Sequence, residues 1–412
     1  MKKQIPILFT LFIYLQSYCQ QIITTTTANC DDSLYMSLTG KWKKELDYPG
    51  STGFSKTEQL ETFKRLDAIH KLVLEAYPVP KGLDAMWRRT QIYNGFLAQE
   101  TKFSKDVDGR LRKDYIKGTA VGKYTYTAGF FHYYCFNDVT KREVRVNGES
   151  GTWLLVKANE LWTVTGDIGD DTMAVDGRPV FLLYPKKEIW KGQQMFFTGA
   201  TSSSQRTVLV HRNGILPYLP VTRKQYFDHS IPCVSNHFDQ LIKTIELEGA
   251  FTLREQEEKK QIALKKIEQD YKNDPQKIEA AKTKFLANFK NEQEFIDAKK
   301  AKVENQRILT LKLYRQELEK TKMANLLDSP VVVFVLHHYV LTEAIPIFIT
   351  EKEGGKMLVT ENPAYIRKDL PKYVPQFFIV HWTIDPGAPG EYLRKSIEEY
   401  FPIEKLQAMI DK

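Results

Sequence analysis

Cysteine is scarce in this chain of 412 residues: there are four, and none forms a C-x-x-C pair. Zinc ribbons and thioredoxin-like redox sites need that spacing, so neither chemistry is expected. The phosphate-cradling loops G-x-x-x-x-G-K-[ST] and G-x-G-x-x-G are missing, as are the G-x-S-x-G nucleophile elbow and S-x-x-K. The sequence therefore names no reaction and calls for no cofactor. Whether the chain is an enzyme stays open, because glycan hydrolysis needs only two well-placed carboxylates and these leave no reliable spacing. No apolar run reaches the ~18 residues of a membrane-spanning helix.

What is present begins with an export leader. Lys2 and Lys3 form a basic start, Ile5 to Leu15 is apolar, and Ser17 and Cys19 supply small residues before Gln20. That pattern predicts a cleavable signal peptide over 1–19 and a periplasmic or extracellular address. With no transmembrane segment after its removal, the mature chain is expected to be free of the bilayer. The formal charge of +8 falls to 8 − 2 = +6 without Lys2 and Lys3. Such a mild excess does not point to nucleic acid as a partner.

Three cysteines then remain, Cys30, Cys135 and Cys233. An oxidising compartment permits one disulfide among them, and the sequence does not choose the pair. Three reduced, buried thiols acting as small hydrophobes is the other reading.

The pattern divides the mature chain into 20–54, a polar N-terminal segment; 55–235, an α+β body; 236–328, a long helical hairpin; and 329–412, a second β meander with a terminal helix. Ser55 and Glu58 make a capping box ahead of Phe63, Leu66, His70, Val73 and Tyr77 at helical spacing. A second helix is expected over Asp84–Ala98. Aromatic and β-branched runs follow, with turn pairs at Asn147-Gly148, Asp176-Gly177 and Asn213-Gly214. These predict hairpins joining 142–146 to 152–156, 173–175 to 179–184, and 207–211 to 215–219. From Phe238 to Leu327 there is one Gly and one Pro. Asp274-Pro275 restarts a helix there, which predicts a rod of ~30 residues, a turn, and a rod of ~50. Strands are expected again at 331–339, 345–350, 356–360 and 377–382, then helices near 391–400 and 403–410. The expected fold is α+β: antiparallel β meanders with an N-terminal helix and a long inserted α-helical hairpin.

Several side-chain groups could bind something. Trp153, Trp162 and Trp190, with Tyr133 and Tyr134, could stack on a sugar or peptide, although aromatic residues in strands mostly fill cores. Arg223 and Lys224 could meet an anion through the guanidinium fork, or simply be a solvated strand end. Asp167, Asp170, Asp171 and Asp176 among glycines suggest Ca²⁺, but their order does not match an EF-hand loop and turn chemistry accounts for them. His229, Cys233 and His237 stand four residues apart, yet Pro232 argues against the helix that would align them. His337-His338 would point to opposite faces of a strand. No metal ligand set is assigned.

Between Arg254 and Lys322 there are 18 Lys/Arg and 13 Asp/Glu, a net of 18 − 13 = +5. The hairpin therefore carries most of the mature excess. It is the expected contact surface for a cell-envelope polymer or protein partner. The leading functional expectation is an exported, non-catalytic binding or interaction protein. A secreted hydrolase and a structural protein of the cell envelope are the alternatives.

Overall fold

The computed structural model describes residues 23–24, 30–47, 54–95, 101–105, 111–115, 121–137, 142–161, 165–166, 174–176, 178–196, 205–289, 292–334, 346–383 and 385–412. The leader, Trp162, Asp167, Asp170, Asp171 and His337-His338 lie outside them.

The chain begins with β1 (Ile23–Thr24), α1 (Asp32–Ser37) and β2 (Trp42–Lys44). Asp31 caps α1 by accepting the Leu34 amide at 3.1 Å. In α2 (Lys56–Ala76) both halves of the Ser55/Glu58 capping box are formed, and Leu66, Ile69, Val73 and Ala76 are buried at spacings of three and four. The second helix expected over Asp84–Ala98 is a strand, β3 (Leu83–Gly95). Leu and Met there suit a helix, but β3 is flanked by β2 and by a long neighbour that satisfies its backbone along its full length. Pairing and two-sided burial outweigh intrinsic propensity.

A separate two-stranded ribbon, β4 (Thr101–Lys105) and β5 (Leu111–Tyr115), precedes the longest pair, β6 (Val121–Asn137) and β7 (Arg142–Ala158). The expected hairpin at Asn147-Gly148 does not exist, because β7 is one strand. Its register with β6 jumps from Phe131↔Gly151 to Tyr133↔Val146, so Asn147 and Gly148 fall in the extra length of a bulge. Next come β8 (Thr165–Gly166), β9 (Ala174–Val175) and β10 (Arg178–Leu183), with β9 and β10 paired as expected. A tight turn at Lys191-Gly192, both at positive φ, joins β11 (Lys186–Trp190) to β12 (Gln193–Phe196). Gly214 also has positive φ, but it does not close the expected hairpin. The strands around it, β13 (Gln205–Val210) and β14 (Tyr218–Pro220), enter different sheets. The turn hands the chain from one layer to the next.

The arm comprises α3 (Arg223–Asp270), α4 (Pro275–Asn288) and α5 (Glu292–Met323). The first rod is longer than expected and the return is broken. Thr222 and Gln225 form a capping box that starts α3 ahead of Pro232, and the helix continues through that proline. A proline inside a helix costs about 3 kcal/mol. Burial of Tyr226, Phe227, Val234 and Phe238 on either side offsets it. Asp274 caps α4 through the Lys277 amide, as its sequence suggests.

Beyond the arm follow β15 (Val332–Val333), β16 (Lys356–Glu361), β17 (Phe378–Thr383), α6 (Ala388–Tyr400) and α7 (Ile403–Gln407). The large sheet runs β11-β12-β13-β17-β7-β6-β3-β2, with β1 also on β7, and only β2–β3 is parallel. The smaller sheet runs β14-β16-β10-β8, with β15 on β16 and β9 on β10. Strands from both sides of the arm share both sheets, so the arm is an insertion into one layered body.

Three cores stack through that body. Helices α2, α6 and α7 cover one face of the large sheet through Leu66, Val73, Phe130, Val380 and Phe401. The other face meets the small sheet through Phe196, Leu209, Val359 and Ile379. The far side of the small sheet holds the arm's root through Val180, Leu182, Leu358, Phe227 and Tyr314. Cys30 and Cys135 form a disulfide with Cα atoms 6.1 Å apart, tying the N-terminal segment to β6; Cys233 is not part of it. Among the described residues no helix is long and apolar enough to cross a membrane.

Candidate functional site

Trp153, Tyr134 and Arg223 do not form one pocket. Trp153 is in mid-strand on β7, 38% exposed, with its ring edge-on to Phe131 at 6.0 Å. Its partner on β6 is Gly129, whereas Tyr134 pairs with Arg145 beyond the bulge. Five residues of strand put the two rings' backbones roughly 17 Å apart. Arg223 closes the arm's root. Its amide donates to the Ser329 carbonyl at 3.0 Å and its guanidinium lies over the Phe348 ring at 4.5 Å. Trp190 is held against the helical layer by donating to the Glu398 carbonyl at 3.1 Å, and Tyr133 is buried.

Trp153 does have polar neighbours on its face of the large sheet. The register sets Arg88 beside Thr127, Thr127 beside Leu155, Leu155 beside His381, and His381 beside Thr207. His381 Nδ1 and Thr207 Oγ1 are 2.8 Å apart. Burial, and then the charge of Lys157, push the His381 pKa down to about 4, so the ring is neutral at pH ~7. A lone His in the apolar strand Phe378–Thr383 was the available sequence signal for this row. A second imidazole, the half-buried His70, stacks on Trp87 at 3.9 Å and meets the Tyr126 hydroxyl at 2.9 Å. Burial, then Lys44, also lower its pKa to about 4. At the N-terminus of α6, His132 Nε2 lies 2.8 Å from Asp385 Oδ2, and Asp32 accepts the Ala388 amide.

At the root of the arm, the continuous α3 reverses the expectation for His229, Cys233 and His237. They do share a helix face. Their outer members are eight residues, or about 12 Å, apart along the axis. One ion could not take all three, and among the described residues no group of three or more His, Cys, Asp or Glu is placed to hold a metal. Tyr226 and Tyr314 face each other here with hydroxyls 3.3 Å apart. Burial raises both pKa values, so the pair stays protonated at any physiological pH.

The arm itself is the most exposed feature. Cross-helix ion pairs set α3 and α5 antiparallel: Asp239–Arg307 at 2.6 Å, Glu246–Lys300 at 2.7 Å and Glu248–Lys299 at 3.7 Å. Gly249 lets the helices approach. A Cβ there would stand 2.9 Å from Ile296 Cδ1. With Ile245 and Gly249 turned inward, Leu247, Phe251 and Ile262 face away from α5. At about 100° per residue they fall within about 60° of one another around the helix. They are 64%, 53% and 67% exposed. Sequence reasoning noticed the arm's charge and missed this outer row. No family model, curated protein or solved structure matches the chain.

Proposed function

We propose that this chain is an exported, non-catalytic interaction protein whose contact element is the helical arm. The observation that carries the reading is the outer row Leu247, Phe251 and Ile262 on a rod that stands away from the layered body. Leu247 and Phe251 stand one turn apart, and adjoining large apolar side chains left in water commonly mark a protein contact. The arm's net positive charge adds attraction to acidic surfaces. Export rests on the leader pattern, and the Cys30–Cys135 disulfide agrees with an oxidising compartment.

Excision of residues 247–299, with a short turn in their place, tests the arm. Capture of envelope proteins by the tagged mature chain is expected to be lost while circular dichroism and melting of the body persist. Unchanged capture sinks the reading. The address is tested by mass spectrometry: the chain should begin at Gln20 in the envelope fraction, and an intact Met1 in the cytosol contradicts export.

A further inference from the structure

We infer that the face of the large sheet around Trp153 binds a short, uncharged glycan. The site is built on the sheet and does not depend on the arm. A fixed aromatic platform is its first element. Gly129 is the cross-strand partner of Trp153, and a Cβ at Gly129 would stand 2.9 Å from Trp153 Cζ3. The indole therefore lies over the bare backbone of β6, with Phe131 edge-on to it at 6.0 Å. The Trp153 amide donates to Thr383 Oγ1 at 2.9 Å, which ties its backbone to the end of β17. Trp153 is nonetheless 38% exposed. A ring already held in place can stack on the apolar face of a sugar at little cost in ordering.

Hydroxyl groups are the second element. On the same face Leu155 follows Trp153, with Thr127 on one side of it and His381 and then Thr207 on the other. Strand spacing puts all of these within about 12 Å of Trp153. Thr90 and Thr125 stand in the next row. Exposure falls from Trp153 through half-buried Leu155 to buried Thr127 and His381, so the polar groups sit deeper than the ring. Valine has nearly the shape of threonine and fills a sheet face with no hydroxyl to satisfy. Thr125 is 5% exposed, and its hydroxyl has no hydrogen-bond partner among the described residues. The fold's own hydrogen bonds thus leave part of this polarity unused. A threonine hydroxyl both donates and accepts, which matches the hydroxyls of a sugar.

Charge selects the class of ligand. Lys157 Nζ lies 3.7 Å from Glu160, and Arg88 Nη1 lies 3.7 Å from Glu45. The His381 ring is neutral at pH ~7. With Lys157 and Arg88 each beside a carboxylate, an anion gains little here. An extended peptide docks its main chain on a free strand edge, whereas β6, β7 and β17 are interior strands with neighbours on both sides.

Isothermal titration of the mature full-length chain with chitotetraose, cellotetraose and maltotetraose, each to millimolar concentration, tests this. At least one should bind. Trp153→Ala should weaken that binding about tenfold. Thr127→Val, which keeps the shape and removes one hydroxyl, should weaken it about fivefold with the melting temperature unchanged. Excision of residues 247–299 should leave the affinity as it is, which separates this site from the arm. No binding of any of the three, tighter binding of tetragalacturonate than of all three, or an affinity indifferent to Trp153→Ala overturns the inference. If Trp153→Ala melts early, Thr127→Val decides, and full affinity in that variant overturns it too.

Discussion

Removal of the disulfide gives the most direct measure of how the N-terminal segment is held. Cys30 and Cys135 are 105 residues apart in sequence. Closing a loop of that size lowers the entropy of the unfolded chain by an amount worth about 4.7 kcal/mol. In the folded state the bond fixes a segment that has its own attachments. Gly40 donates to the Pro80 carbonyl at 2.8 Å, Trp42 Nε1 to the Tyr77 carbonyl at 3.0 Å, and Lys43 pairs with the buried Asp84 at 2.7 Å. Asp32 accepts the Ala388 amide at the start of α6. These contacts survive a change of Cys to Ser, so the folded state should be little altered and the effect should lie mainly in the unfolded one. Urea unfolding of oxidised wild type and of Cys30→Ser with Cys135→Ser, followed by tryptophan fluorescence, should show the variant losing about 4–5 kcal/mol. Hydrogen exchange should show α1 and β2 retained. Superimposable unfolding curves would refute the loop argument. Loss of protection confined to residues 30–47 would show that these attachments do not hold the segment without the bond.

Acid should destabilise the body through two imidazoles, His381 buried and His70 half-buried. His381 and His70 have folded pKa values of about 4, while an unfolded His titrates near 6.5, so the unfolded chain takes up protons first. Their stabilising effect is complete above pH ~6.5 and declines as pH falls towards ~4, by about 3 kcal/mol for His381 and less for the more solvated His70. Melting temperature against pH should follow that slope, and His381→Asn should flatten it; a melting temperature constant over that range contradicts the burial argument. In the arm, Gly249→Leu should cost about 1–3 kcal/mol by forcing the side chain against Ile296. Faster hydrogen exchange in α5 with an unchanged body would show it, and an unaffected arm would mean that α3 and α5 are not in close contact there. Asp274→Ala should remove about 1 kcal/mol from α4 by deleting its cap, read as lower helicity.

Local chemistry made much of this fold legible. The Ser55/Glu58 box and the Asp274-Pro275 restart each act within a few residues, and each stands where the pattern placed it. Errors arose where distant partners decide. Leu83–Gly95 is a strand because β2 and β6 flank it. Asn147-Gly148 has hairpin chemistry, yet β6 supplies a continuous partner and absorbs the pair in a bulge. Asn213-Gly214 turns the chain, but β17, which arrives some 170 residues later, takes the edge of β13 that the hairpin would have used. Pro232 does not break α3 because buried residues on both sides of it hold the helix, and their burial is not visible from the sequence. The outer row of the arm was hidden for a similar reason. Leu247, Phe251 and Ile262 are unremarkable until the cross-helix ion pairs show which face of α3 is turned inward.

Whether the arm can be removed cleanly decides how far the functional test can be trusted, and the structure specifies where to cut. The two ends of the arm meet at its base: Thr222 bridges Pro330, the Lys224 amide donates to the Leu327 carbonyl at 2.9 Å, and the Val331 amide to the Val221 carbonyl at 2.9 Å. A cut at that base would expose Val221, Val331 and the small sheet, because Tyr226, Phe227, Val234, Phe238 and Tyr314 form their cover. Losing those five side chains would remove well over 5 kcal/mol of burial and unsettle the body. A cut higher up avoids this. Glu246 and Lys300 face each other across the helices at 2.7 Å, so a turn of about four residues can join them as in an ordinary helical hairpin. Asp239–Arg307 and the tyrosine pair below stay in place. The shortened chain should melt within a few degrees of the full one. A large drop would mean that the distal arm supports the body, and its exposed apolar row would then need a structural explanation before a partner is invoked.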